Sequence, residues 1–155
     1  MTKNDILCRL CKLFDFDATA ASAVFAAADH EVSPERVADW FKKPGETGCR
    51  NCDDKDLAIF LNGLINTRRG RKEGAQPVPE EQLSNNMIFN KLKIALNLQA
   101  DQLIEMMAAE GIEMSKHELS ALFRKIDHKH YRPCSQQQLA AFLRATEKHL
   151  AGNKG

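Results

Sequence analysis

The stretch CDDKDLAIFLNGLI at residues 52–65 returns as CSQQQLAAFLRATE at residues 134–147, so that Leu57, Ala58, Phe60 and Leu61 recur as Leu139, Ala140, Phe142 and Leu143. In the first copy Leu57, Phe60, Leu61, Leu64 and Ile65 stand three and four apart, the stripe of a helix with one face against a core. Cys52 precedes Asp53, a residue suited to cap a helix N-terminus, and Leu57 follows where it can staple back onto Cys52. Cys134, Ser135 and Leu139 repeat the arrangement, and Gln138 completes a capping box with Ser135.

Leu57 and Leu139 are 82 residues apart. Carried outward at that offset, residues 4–65 overlie residues 86–147 without a gap, and about a quarter of the positions coincide, several times the chance level. Asn4 meets Asn86, Ile6 meets Ile88, Leu10 meets Leu92, Ser33 meets Ser115, Phe41 meets Phe123 and Cys52 meets Cys134. A third helix is signalled in both copies. Val32, Ser33, Pro34 and Val37 supply staple, cap and first-turn proline, while Met114, Ser115, Glu118 and Leu119 supply staple and capping box. The pattern predicts an all-α protein, a tandem duplication of a four-helix unit with about eight helices. The first repeat is expected over 1–69, a polar linker with Pro77 and Pro79 over 70–84, the second repeat over 85–150 and a disordered tail over 151–155.

Among 155 residues, 22 basic side chains stand against 21 acidic ones, so no global field draws in polyanions and any such contact must be local. The opening MTKNDILCRLCKLF is charged throughout and offers no apolar run for a signal peptide or membrane span. A cytoplasmic protein with no membrane contact is expected, its five cysteines reduced.

The segments FLNGLINTRRGR (60–71), NNMIFNKLKIALNL (85–98) and ELSALFRKIDHKHYRPC (118–134) resemble the YehS-like proteins, a bacterial domain-of-unknown-function family with two such repeats. The resemblance spans nearly the whole chain and implies the duplicated helical fold, without an assigned activity, cofactor or catalytic residue. Where that family usually carries Gly-Asp-Gln after the second-copy cysteine, this chain has Ser135, Gln136 and Gln137.

Four features bear on chemistry. Cys8 and Cys11 with Cys49 and Cys52 form two Cys-x-x-Cys pairs, the spacing of a tetrahedral zinc site, yet copy two replaces them with Asn90, Lys93, Tyr131 and Cys134, so the fold does not need a metal. Cys8 and Cys11 align with polar residues and are expected to be a partly exposed pair. A basic loop, His128 to Arg132, precedes the last helix; Lys129 and Arg132 suit phosphate and Tyr131 suits a stacked base, whereas the two histidines lack further ligands at metal spacing. His117 and His149 would approach that loop only through the fold.

Arg68, Arg69, Arg71 and Lys72 follow the fourth helix, more cations than its dipole needs, with Gly70 placed to cap it. The second and third helices of each copy resemble a helix-turn-helix with a turn about two residues too long. Glu35 and Asp39 on the third helix of copy one would repel DNA, while copy two offers Lys116, His117, Arg124 and Lys125. No phosphate-cradling glycine loop, His-Glu-x-x-His or nucleophile elbow occurs.

The residues therefore point to a non-enzymatic helical adaptor without a cofactor, contacting RNA, DNA or a nucleoprotein through Arg68, Arg69, Arg71, Lys72, Lys129, Tyr131 and Arg132. Two alternatives stand beside it: a module that takes a partner helix in a groove between the repeats, and a thiol or zinc regulatory protein built on the paired cysteines.

Overall fold

The computed structural model describes residues 1–153, which divide into two units, Met1–Leu83 and the chain from Ser84 onward. Unit one contains α1 (Lys3–Leu13), α2 (Ala18–Ala26), α3 (Pro34–Phe41) and α4 (Asp54–Arg69). Unit two contains α5 (Asn85–Leu96), α6 (Ala100–Ala109), α7 (Lys116–Leu122) and α8 (Gln136–Asn153). No strand occurs among the described residues.

The helices start where the cap residues predict. Ser33 accepts the Arg36 N–H ahead of Pro34 at the first turn of α3. Ser115 and Glu118 form a capping box on α7, Asp53 and Asp56 one on α4, and Ser135 and Gln138 exchange the same two bonds at α8. Each box satisfies two backbone N–H groups at an end where four lack helical partners.

An asparagine organises each unit. Asn4 on α1 accepts the Cys52 N–H at 2.8 Å and donates to the Trp40 carbonyl at 3.1 Å and the Arg50 carbonyl at 2.8 Å. Asn86 on α5 repeats all three bonds at the 82-residue offset, accepting from Cys134 at 2.8 Å and donating to Leu122 at 2.9 Å and Arg132 at 2.7 Å. One side-chain amide thus ties the first helix to the end of the third and to the loop before the fourth. The main chain of that loop agrees too, since Arg50 N–H reaches Asp39 O and Arg132 N–H reaches Ala121 O.

The cores differ in where their aromatic side chains originate. In unit one α2 packs on α3 and α4. Phe25 of α2 lies 5.5 Å from both Trp40 and Phe60, ring centre to ring centre. In unit two the position of Phe25 holds Met107, and the partner of Phe142 is instead Phe89 of α5, stacked at 3.9 Å, where unit one has Leu7. Gly63 sets a further difference: a Cβ there would stand 1.9 Å from the Val24 carbonyl oxygen, so α4 meets α2 at backbone contact, whereas unit two carries Ala145.

The stretch expected as a polar linker makes specific contacts with unit one. Gly70, at φ 89°, ends α4; the Asn66 amide donates to Gln76 at 2.6 Å; Lys55 pairs with Glu81 at 3.5 Å. Leu83 is buried, and its N–H reaches the Asp54 carboxylate at 2.7 Å. One apolar residue and one acceptor hold a segment whose composition looks solvated. At the other end, the expected tail is helical as far as Asn153, and 154–155 lie outside the described residues.

Glu110, at the end of α6, is clasped by Lys148 at 2.6 Å and Arg144 at 3.1 Å, both from α8. The Lys148 ammonium, then the Arg144 guanidinium, hold its carboxyl below the usual range. The stabilisation is therefore complete at neutral pH and lost as pH falls through that lowered value. Glu110→Gln should destabilise unit two at pH 7 and flatten its acid limb in thermal melts across pH. Asn86→Ala should cost about 2–4 kcal/mol by urea unfolding, because three backbone groups lose their partner at once. Asn4→Ala should cost less, since Asn4 is only half-buried.

Candidate functional site

The cations that follow α4 do not act as one strip. Arg68 places its guanidinium 5.2 Å from the centre of the Phe14 ring, a cation–π contact that fixes it against the end of α1. Arg71 turns back to Asp29 and makes a bidentate pair, 2.6 Å on each side. That pair holds the Asp29 carboxyl below its ordinary range and raises the guanidinium, so the charge of Arg71 is answered locally. Arg69 and Lys72 are exposed, and neither makes an ion pair among the described residues.

In unit two the loop between α7 and α8 is fixed by its own backbone. His128 N–H bonds to Lys125 O, Tyr131 N–H to His128 O, and the Asn86 amide holds the Arg132 carbonyl. Lys129 and Arg132 line a single cleft of about 440 Å³ with Met114, His117, Glu118 and His130. Neither cation is ion-paired among the described residues. Tyr131 is separated from them: it faces a second cleft of about 450 Å³ with Met87, Phe123 and Ile126. His117 joins the basic loop through the fold, its ring centre 5.7 Å from that of His130, which lies 5.5 Å from His128. Thirteen positions separate His117 from His130, and no spacing rule links them.

The helix-turn-helix comparison needs one correction. Phe123 ends α7 after only seven residues, so Arg124 and Lys125 lie on the following loop and not on a recognition-helix face. Lys116 pairs with Asp101 at 3.2 Å, and in unit one Asp39 of α3 is held by Lys42 at 2.9 Å and Arg50 at 3.3 Å.

Of the paired cysteines, Cys11 is buried, not exposed, because it faces the core side of α1. The thiols of Cys8, Cys49 and Cys52 donate to the carbonyls of Trp40, Lys42 and Asp53 respectively. Among the described residues no three His, Cys, Asp or Glu side chains gather as a metal site. In unit two the position of Cys11 is Lys93, whose ammonium lies 4.4 Å from the centre of the Phe123 ring.

The comparisons fit this duplicated architecture. The model of the family described as "Protein of unknown function (DUF1456)" matches twice, at residues 3–70 and 85–150, one match to each unit. The chain belongs to the DUF1456 family. It is similar to the "Uncharacterized protein YehS" of Escherichia coli K12, 34% identical over 153 residues, which cover 97% of this chain and 98% of that protein. No solved structure gives a significant match. The DUF1456 repeat therefore coincides with the unit that each asparagine closes.

Burial pushes the Cys8 and Cys52 thiols up, Cys11 to about 12 and Cys134 to about 11. Thiolate is the reactive form, so these groups are poor nucleophiles at neutral pH. Maleimide labelling of the native protein at neutral pH, mapped by mass spectrometry, should mark Cys49 first and the half-buried Cys8 only slowly, and leave the buried Cys11, Cys52 and Cys134 unmodified until denaturant is added.

Proposed function

We propose that this chain is a non-enzymatic helical module of the cytoplasm that contacts the phosphate backbone of nucleic acid, RNA or DNA. The observation that carries the reading is the pair Lys129 and Arg132, neither ion-paired among the described residues, on one backbone-fixed loop and lining one cleft. Arg69 and Lys72 add two exposed cations in unit one. Arg68 keeps its charge while stacked, and Arg71, neutralised by Asp29, contributes least. A neutral chain with such local cations suits contacts that position a strand without reading its bases. No helix among the described residues is long and apolar enough to cross a membrane, and all five cysteines are free thiols.

A protein partner is the second reading, favoured by the apolar cleft of unit two, where Ile126 is 79% exposed beside Met87 and Tyr131. Binding there would survive nuclease and high salt.

Anisotropy titrations with an RNA hairpin and a DNA duplex, from about 50 to about 200 mM salt, test the first reading. Affinity should fall with salt. Alanine at Arg69, Lys72, Lys129 and Arg132 together should reduce the slope of log K against log salt by about 0.9 for each phosphate that is no longer neutralised. Alanine at Arg71 alone should leave that slope unchanged. Salt-independent binding, or none, would remove the nucleic-acid reading.

A further inference from the structure

The duplication supplies an internal reference for the cleft of unit two. At the 82-residue offset its lining residues have counterparts on the same helix and the same loop of unit one. Arg132 corresponds to Arg50, and Arg50 is occupied, its Nε 3.3 Å from the Asp39 carboxylate. Asp39 corresponds to Ala121, so the acid that neutralises this arginine in unit one is absent from unit two. Glu35 corresponds to His117, Glu46 to His128, Thr47 to Lys129 and Gly48 to His130. Carboxylates have thus left the positions of Glu35, Asp39 and Glu46, imidazoles and an ammonium occupy those of Glu35, Glu46, Thr47 and Gly48, and one carboxylate, Glu118, has entered at the position of Arg36, while the backbone bonds of the loop are unchanged.

Resting on the phosphate-contact reading above, we infer that this cleft is a phosphate-binding pocket in which His117 and His130 act beside Lys129 and Arg132, so that a phosphodiester is held more tightly as pH falls. His117 comes from α7, and Lys129, His130 and Arg132 from the loop; Gln138 of α8 also lines the cleft. The one acid that faces the cleft is Glu118, and its carboxylate is engaged in the capping box with Ser115. His128 stands behind the lining: its Nδ1 accepts the backbone N–H of His130 at 3.0 Å. That bond fixes the backbone from which the His130 ring projects. Asp127 and Lys125 flank it along the loop and do not line the cleft.

The sign of the pH dependence follows from charge. Imidazole in general gains its proton between about pH 6 and 7. His117 and His130 lie close to each other and line the cleft with two permanent cations, so an imidazolium there adds to a positive surface that an anion in the cleft would answer. An internal phosphodiester keeps one negative charge across this range. The anion and the imidazole protons therefore favour each other, and affinity is lost as pH rises past about 7.

The test is anisotropy of a rhodamine-labelled single-stranded oligothymidylate between about pH 5.5 and about pH 8 at fixed salt. Wild type should bind about tenfold more tightly at the acidic end. The double variant His117→Gln, His130→Gln should keep the weaker, alkaline affinity at both ends. Ala121→Asp, which restores the unit-one clamp on Arg132, should weaken binding at every pH; Arg132→Ala checks the same contact if that variant melts early by circular dichroism. Binding that does not change with pH in wild type, or a pH dependence that survives the double variant, overturns the role of the histidines and leaves the backbone-contact reading standing. Binding untouched by both Ala121→Asp and Arg132→Ala overturns the cleft. Absence of binding at every pH removes both readings.

Discussion

A single side-chain amide, Asn4 in one unit and Asn86 in the other, closes each half of this protein. Its two N–H groups and one oxygen meet two carbonyls and one backbone N–H that no helix satisfies, at the end of the third helix and across the following loop. Buried backbone groups of that kind cost about 1–3 kcal/mol each when left unpaired. The loop is consequently held in one shape in both copies, and whatever side chains it carries are presented from a fixed frame.

That constancy lets the rest of each unit change. The aromatic pair at the core centre moves from Phe25 and Phe60 to Phe89 and Phe142 without altering the helix order. The fixed loop carries Glu46 and Gly48 in unit one, with Arg50 held by Asp39, and His128, Lys129 and His130 in unit two. A surface can pass from self-neutralised to cationic by losing one carboxylate, Asp39 to Ala121, because the arginine that it held was already in place.

The fold was legible because its signals are local. Caps at Ser33, Asp53, Ser115 and Ser135 act within four residues, and the apolar stripe of α4 follows from helical geometry alone. The coincidence of Asn4 with Asn86 was visible in the sequence, but the three bonds that explain it span 36 to 48 residues. The cationic surfaces were only half legible for the same reason. Clustering in sequence named Arg71 beside Arg68 and Arg69, whereas Asp29, 42 residues away, decides that its charge is answered. His117 belongs with Lys129 and Arg132 because the loop folds back along α7, and Tyr131 departs from them because it turns to the other cleft from its place between His130 and Arg132.

The asparagine closure also bears on how the chain assembles during synthesis. Asn4 waits for Cys52, 48 residues downstream, and Asn86 waits equally long for Cys134. At the usual pace of translation of about 5–20 residues per second, each wait lasts seconds, long compared with helix formation. Neighbouring domains of related sequence risk exchanging helices in such an interval. An exchanged helix would lose ring contacts: α1 carries Leu7 where Phe89 stacks on Phe142, and α6 carries Met107 where Phe25 meets Trp40 and Phe60. Divergence of the two cores thus disfavours packing of a helix into the other unit.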